Sequence, residues 1–185
     1  MNETLKVGPK ALTLMHHFEE CRLKAYLCPA RRPTIGWGMT YYPDGRRVKM
    51  GDQITQSQAD AMFAELIERD FATPIRAALG DAPTTPAQFG AMVALAYNVG
   101  IGPKLWVPSR AKGFRQSEVL KRHRAGDYLG AAGVGGKEPT SGAFGGWVRA
   151  GGQILGGLVR RRAAEAALYR SDFVNLSRFT HGAVA

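Results

Sequence analysis

Two helix-start signals divide this chain more sharply than anything else in it. Thr55-Gln56-Ser57-Gln58 and Thr85-Pro86-Ala87-Gln88 both read T-x-x-Q. In such a capping box, a threonine hydroxyl and a glutamine side chain satisfy backbone N–H groups that the first helical turn leaves free. The second box adds a proline at the first helical position, where its missing N–H is not needed. Behind the first box, Ala59, Met62, Phe63, Leu66 and Ile67 form an apolar face at helical spacing. This helix is expected to continue past Phe71, with Pro74 bending or restarting it. Behind the second box, Phe89, Met92, Val93, Ala96 and Tyr97 repeat the pattern until Gly100 and Gly102 stop it.

Ahead of Thr55 the pattern changes. Ala11, Leu14, Met15 and Phe18 predict an amphipathic helix ending near Glu20. The segments "RLKAYLC", "TIGWGMT" and "RRVKM", separated by "PARRP" and by "PDG" at Pro43 to Gly45, predict a three-stranded meander. Gly36 and Gly38 leave one face of the middle strand bare, for a bend, for a ligand or for close backbone contact. Further on, "SEVLKRHRAGD", "DYLGAAG" and "GGLVRRRAAEAALYRS" predict helices, and the stretch from Ala132 to Gly146 predicts a loop. No firm pattern follows Asp172. The fold class expected is α+β in a single domain over 1–185. It divides into an N-terminal helix and β lobe (about 10–54), a helical lobe (about 55–171) and a tail (172–185).

A chain of 185 residues, 45% hydrophobic, can bury a sizeable core without metals or disulfides. Its 25 Lys and Arg outnumber 15 Asp and Glu, giving a formal charge of +10. Such a field attracts polyanions, whether nucleic acid, anionic lipid or bacterial cell wall. The two cysteines, Cys21 and Cys28, are too few for a disulfide scaffold or a zinc cluster, so no metal and no cofactor are expected. Two free thiols are the expectation, a disulfide between them the alternative. The first twenty residues lack a signal peptide's apolar core, and no segment approaches the roughly 18 apolar residues of a membrane span. A protein made soluble in a cytoplasm is expected.

Glu19, Cys28 and Thr34 carry the chemistry this pattern suggests. A glutamate at a helix end, partly buried near Phe18 and Tyr26, can serve as a general acid toward a glycosidic oxygen. A threonine hydroxyl both donates and accepts hydrogen bonds, and so can hold an attacking water. Spacing alone is weak evidence, but the surroundings are specific. "FEECRLKAYLCPARRPTIGWG" resembles the N-terminal signature of the phage-type lysozymes of glycoside hydrolase family 24: Glu, R-L-x-A-Y, Asp or Cys, then T-I-G-x-G. The resemblance continues in collinear order through "VKMGDQITQSQADAMF", "TPAQFGAMVALAYNVGIG", "HRAGDYLGAA" and "WVRAGGQILGGLVRRRAAEAALY".

This resemblance implies a lysozyme-like fold, a small β lobe and a helical lobe joined by a long helix across a cleft. It implies hydrolysis of the β-1,4 bond between N-acetylmuramic acid and N-acetylglucosamine in peptidoglycan, for host lysis and phage release. It also implies a cytoplasmic wait for a phage holin, then action in the periplasm, with a monomer expected. Glu19 matches the family's catalytic glutamate, Cys28 its Asp-or-Cys position and Thr34 its threonine. Neutral Glu19 would protonate the leaving oxygen, and water held by Cys28 and Thr34 would attack. Either Cys28 works partly as thiolate, its pKa lowered by Arg31 and Arg32, or it only helps place the water. Two departures stand out. Met39 replaces a histidine common after T-I-G-x-G, and the Gly133 to Gly146 stretch is longer than the family's usual connection.

Other residues admit two readings each. Tyr97 and Asn98 face a sugar groove as substrate-binding residues, or Tyr97 is core and Asn98 caps its helix. Trp37 stacks on a sugar or packs inward. Arg160, Arg161 and Arg162 grip the wall or lipopolysaccharide, or are partly solvated and partly paired with Glu165. A lytic transglycosylase would use the same glutamate but make an anhydro product, and a noncatalytic basic binding protein would need no glutamate at all. The chain carries no helix-turn-helix, zinc-finger or stacked-aromatic RNA-binding signature, so no nucleic-acid partner is expected.

Overall fold

Pro9 opens α1 (Pro9–Phe18), and the backbone leaves the helix at Glu19, whose φ of −116° and ψ of 153° are extended. The structure is a computed structural model describing residues 2–103, 112–135 and 140–184. The chain then enters a hairpin of β1 (Arg22–Leu27) and β2 (Pro33–Gly36), antiparallel with Tyr26 opposite Thr34 and Leu27 opposite Pro33. The connection Pro29-Ala30-Arg31 is closed by Arg31 N–H to Cys28 O (2.7 Å) and Cys28 N–H to Arg32 O (3.0 Å), with Arg31 left-handed at φ 56°. That is a three-residue hairpin loop ending in a left-handed residue.

The expected third strand does not form. Residues 46–48 bond back to 40–42, through a bridge between Tyr41 and Arg47 and bonds such as Val48 N–H to Thr40 O (3.0 Å). The free edge of β1 is taken instead by residues 52–54: Ala25 N–H bonds Asp52 O and Ile54 N–H bonds Leu23 O, both at 2.9 Å. The Asp52 carboxylate, accepting from Lys49 N–H (3.0 Å) and the Tyr42 hydroxyl (2.9 Å), folds the chain back toward β1. The middle strand is also short. Gly36 turns at φ 60°, and Ile35 and Met39 then exchange backbone hydrogen bonds of 2.9 and 3.0 Å. The glycines therefore make a bend, which throws Trp37 out of the strand.

Both capping boxes form. Thr55 and Thr85 each accept from their glutamine's N–H and donate their own N–H to its side chain. The first opens α2 (Gln56–Leu66), which passes through a π-helical segment (Ile67–Ala72) into α3 (Thr73–Leu79) without leaving helical φ and ψ. Pro74 explains the wide turn. A proline ring clashes with the carbonyl four residues back, and π spacing, seen in Thr73 N–H to Glu68 O, removes the demand for that geometry.

The second box opens α4 (Pro86–Val99), buried from Gln88 to Ala96. Around it pack α1, α5 (Glu118–Arg124), α6 (Tyr128–Ala132), a 3₁₀ turn (Ala143–Trp147) and α7 (Gly156–Tyr169). Gly90 lets α1 close on α4, since a Cβ there would lie 2.7 Å from that of Ala11. Of the loop expected over 132–146, residues 136–139 lie outside the described ones. A hairpin of β3 (Arg149–Ala150) and β4 (Gln153–Ile154) precedes α7, its turn made by Gly151 and Gly152, both at positive φ. The tail is not patternless: Asp172 caps a further helix, α8 (Phe173–Phe179). A second small core of Ile35, Met39, Val48 and Met62 joins the β lobe to α2. The architecture is α+β, with a long helical rod between a small β-containing lobe and a helical one. No helix of the described residues is long and apolar enough to cross a membrane.

Candidate active site

Glu19 owes its position to the end of α1. As the first extended residue after the helix, it turns its side chain out of the α1 stripe, and 27% of that side chain stays exposed. Its Oε1 accepts from Arg161 Nη1 at 2.6 Å, a contact between residues 142 apart in sequence. Oε2 makes no hydrogen bond among the described residues and is free to face a ligand. The guanidinium of Arg161 lies 5.7 Å above the Phe18 ring, so α1 supplies both the carboxylate and an aromatic floor for its partner.

Arg161 is itself held from behind. Its Nε donates to Glu165 Oε1 at 3.2 Å, and Arg162 Nη2 donates to that same oxygen at 2.6 Å. Glu165 and Arg162 are wholly buried, Arg161 nearly so, while Arg160 is exposed. Burial pushes the Glu165 carboxyl upward, and the two guanidiniums pull it back. Both are in charge-assisted contact with it, which favours its ionised form against the burial that raises its pKa overall. The pairing of Arg161 and Arg162 with Glu165 follows from their spacing in the sequence. The reach of Arg161 to Glu19 has no local signal and was not anticipated.

Cys28 and Thr34 sit together at the hairpin loop. The Thr34 hydroxyl donates to Arg32 O at 3.0 Å, and only 3% of the residue is exposed. The Cys28 thiol is drawn below its ordinary pKa, chiefly by a backbone hydrogen bond at Arg32. Partial burial opposes this, and smaller pulls come from the Thr34 hydroxyl, the Ala30 backbone and the Arg32 charge. Cys21 and Cys28 are both free thiols, and Gln56 Nε2 lies 3.7 Å from the sulfur of Cys21.

Tyr97 points from α4 toward this region. Its hydroxyl donates to Trp37 O at 2.9 Å, and its ring meets Phe63 and Phe71 edge-on at 5.3 Å. Burial raises its pKa, and the charge of Glu19 raises it further, so the two side chains share one electrostatic environment. Asn98 is exposed, and the cap of α4 is Gly100. Trp37 packs inward against His16, with its indole N–H on Asp60 Oδ1 at 2.7 Å. Among the described residues no group of three or more His, Cys, Asp or Glu side chains is placed to hold a metal ion.

The chain is similar to known proteins in sequence and in fold. An endolysin from Acyrthosiphon pisum secondary endosymbiont phage 1 is 34% identical over 173 residues, spanning 90% of this chain and 99% of that protein. The solved endolysin from Escherichia coli O157:H7 phage FAHEc1 is similar at a TM-score of 0.72 and 31% identity, over 93% of this chain and 98% of its own. The muramidase domain of SpmX from Asticaccaulis excentricus is similar at a TM-score of 0.66 and 28% identity, over 89% and 97%. A model of the phage lysozyme family matches residues 16–165, a span running from just before Glu19 to Glu165, and the chain belongs to that family.

Proposed function

We propose that this chain is a phage endolysin acting as a muramidase of glycoside hydrolase family 24. Its substrate is the β-1,4 bond between N-acetylmuramic acid and N-acetylglucosamine in peptidoglycan. The observation that carries this reading is a partly exposed Glu19, anchored through one oxygen to Arg161 with the other oxygen free. Protonated Glu19 gives its proton to the leaving glycosidic oxygen as the C–O bond breaks and positive charge grows at the anomeric carbon. A water adds its oxygen to that carbon and releases a proton to the surrounding water, from which Glu19 regains its own. Thr34 and Cys28, adjacent at the hairpin loop, are the residues proposed to hold this water. Attack from the face opposite the leaving group inverts the anomeric centre.

Tyr97 and Asn98, at the end of α4, are proposed to border the groove for the glycan. The protein works as a monomer. It gains access to the wall when a holin opens the inner membrane, and then acts from the periplasmic side.

Glu19→Gln is the decisive variant. Clearing of purified sacculi is expected to fall by at least about 10²-fold, the usual contribution of a general acid. Products of the wild type are expected to carry reducing muramic ends. Undiminished clearing by the variant rejects the enzymatic role of Glu19, and anhydro-muramic ends reject hydrolysis in favour of transglycosylation.

A further inference from the structure

Four charges alternate from the site into the core: Glu19, Arg161, Glu165 and Arg162. Arg161 is forked, with Nη1 on Glu19 Oε1 (2.6 Å) and Nε on Glu165 Oε1 (3.2 Å). Arg162 closes the far end on the same Glu165 oxygen at 2.6 Å. The arrangement poses a chemical problem. A general acid must carry its proton when the bond breaks, yet a guanidinium in direct contact favours the bare carboxylate. An undivided Arg161 would therefore work against the role proposed for Glu19.

We propose that Glu165 is a positioning residue for the reaction: its buried carboxylate holds one edge of Arg161 and offsets its charge, so that Glu19 is fixed in place yet can still hold a proton. The proposal rests on Glu19 being the acid. Arg162, in turn, favours the ionised form of Glu165, which burial opposes.

Few other charges enter this cluster among the described residues. Only Arg161 and Arg162 act on Glu165. From α4, Tyr97 faces Glu19 and Arg161, and it stays neutral because burial raises its pKa. From α1 comes the Phe18 ring, while His17 faces Arg160 and His181.

The test is the pH profile of kcat and KM on purified sacculi for the wild type and three variants, each checked for folding by circular dichroism. In Glu165→Gln, Arg161 is left to Glu19 alone, and the alkaline limb of kcat is expected about one pH unit lower, with KM unchanged. The double variant Glu165→Gln with Arg162→Gln replaces the buried ion pair by two amides, leaves no buried charge unmatched and tolerates folding best. Its limb is expected to move the same way. Arg162→Gln removes that support from the Glu165 carboxylate, and its limb is expected to move the same way. Limbs that coincide with the wild type, or kcat losses uniform across pH, overturn the proposal and make the cluster structural only. Glu19→Gln separates the two ideas. If that variant is inactive while the limbs stay put, only the role of Glu165 falls; if it is fully active, the reading of Glu19 falls first.

Discussion

His16 lies flat on Trp37, with ring centroids 3.9 Å apart and planes within 1° of parallel. The stack joins α1, which carries Glu19, to the glycine loop that follows β2. Asp60 of α2 takes the indole N–H and Tyr97 of α4 takes the backbone carbonyl, so three helices converge on one residue of the β lobe. Trp37 is the pin between lobes, placed there by the bend at Gly36 and Gly38.

Trp37→Ala is therefore expected to destabilise the protein by about 3 kcal/mol, as loss of a large packed aromatic does. Tyr97→Phe removes one hydrogen bond and should cost about 1 kcal/mol. Urea unfolding monitored by circular dichroism checks both. Equal midpoints for Trp37→Ala and the wild type would show that the pin carries no load.

His123 is buried, with Nε2 2.8 Å from the Thr84 hydroxyl and Nδ1 against that of Tyr169. Burial lowers its pKa from 6.5 to about 4. The unfolded chain protonates first on acidification, so unfolding takes up a proton below pH 6.5. The contribution of this histidine is fully present above about pH 6.5 and falls by about 3 kcal/mol as pH drops toward 4. His123→Gln should be less stable at pH 7 but lose less between pH 6.5 and 4. Urea midpoints across that range decide it, and parallel slopes would assign the acid sensitivity to other groups.

At the hairpin loop, the thiol of Cys28 is held among backbone groups and the Thr34 hydroxyl. If it places water, Cys28→Ser should stay within about tenfold of wild type, far from the roughly 10²–10⁴-fold cost of losing a general base. Cys28→Asp should retain activity. Complete loss in Cys28→Ser, with the wild type inactivated by iodoacetamide, would make the thiolate chemical rather than positional.

The charge of +10 should make wall clearing depend on salt. The screening length shrinks from about 10 Å at 0.1 M to about 3 Å at 1 M, which weakens attraction to an anionic polymer. Clearing rates on sacculi are expected to fall steadily over that range, while hydrolysis of a short neutral chitooligosaccharide should change little. A flat rate on sacculi would show that the charge is incidental.

What could be read from the sequence was what local chemistry decides. Thr55 with Gln58 and Thr85 with Gln88 start helices because both partners lie within one turn, and both boxes form. Arg161 and Arg162 meet Glu165 for the same reason, at helical spacings of four and three. The contact of Arg161 with Glu19 depends on how α7 packs beside α1, and no short-range pattern encodes it. The strand expected at 46–50 failed because the middle strand it would pair with ends at Gly36, where a φ of 60° turns the chain, and residues 46–48 bond back to 40–42 instead. Two elements were legible but unread. Gly151-Gly152 is a two-residue hairpin turn, and Asp172 accepts from Asn175 N–H at 3.2 Å as a helix cap.

The π-helical step between α2 and α3 spaces the buried residues Ile67 and Ala72 five apart, whereas Ala72, Ile75 and Leu79 return to intervals of three and four. One surplus residue is thereby absorbed without rotating the apolar stripe on either side. With Pro74 replaced by alanine, removing a single residue from 68–71 would let the rod rewind as ordinary helix with both ends in phase. Anywhere else along it, the same deletion would swing every later side chain by about 100°. The rod thus has one joint at which chain length can change while the two lobes keep their mutual bearing.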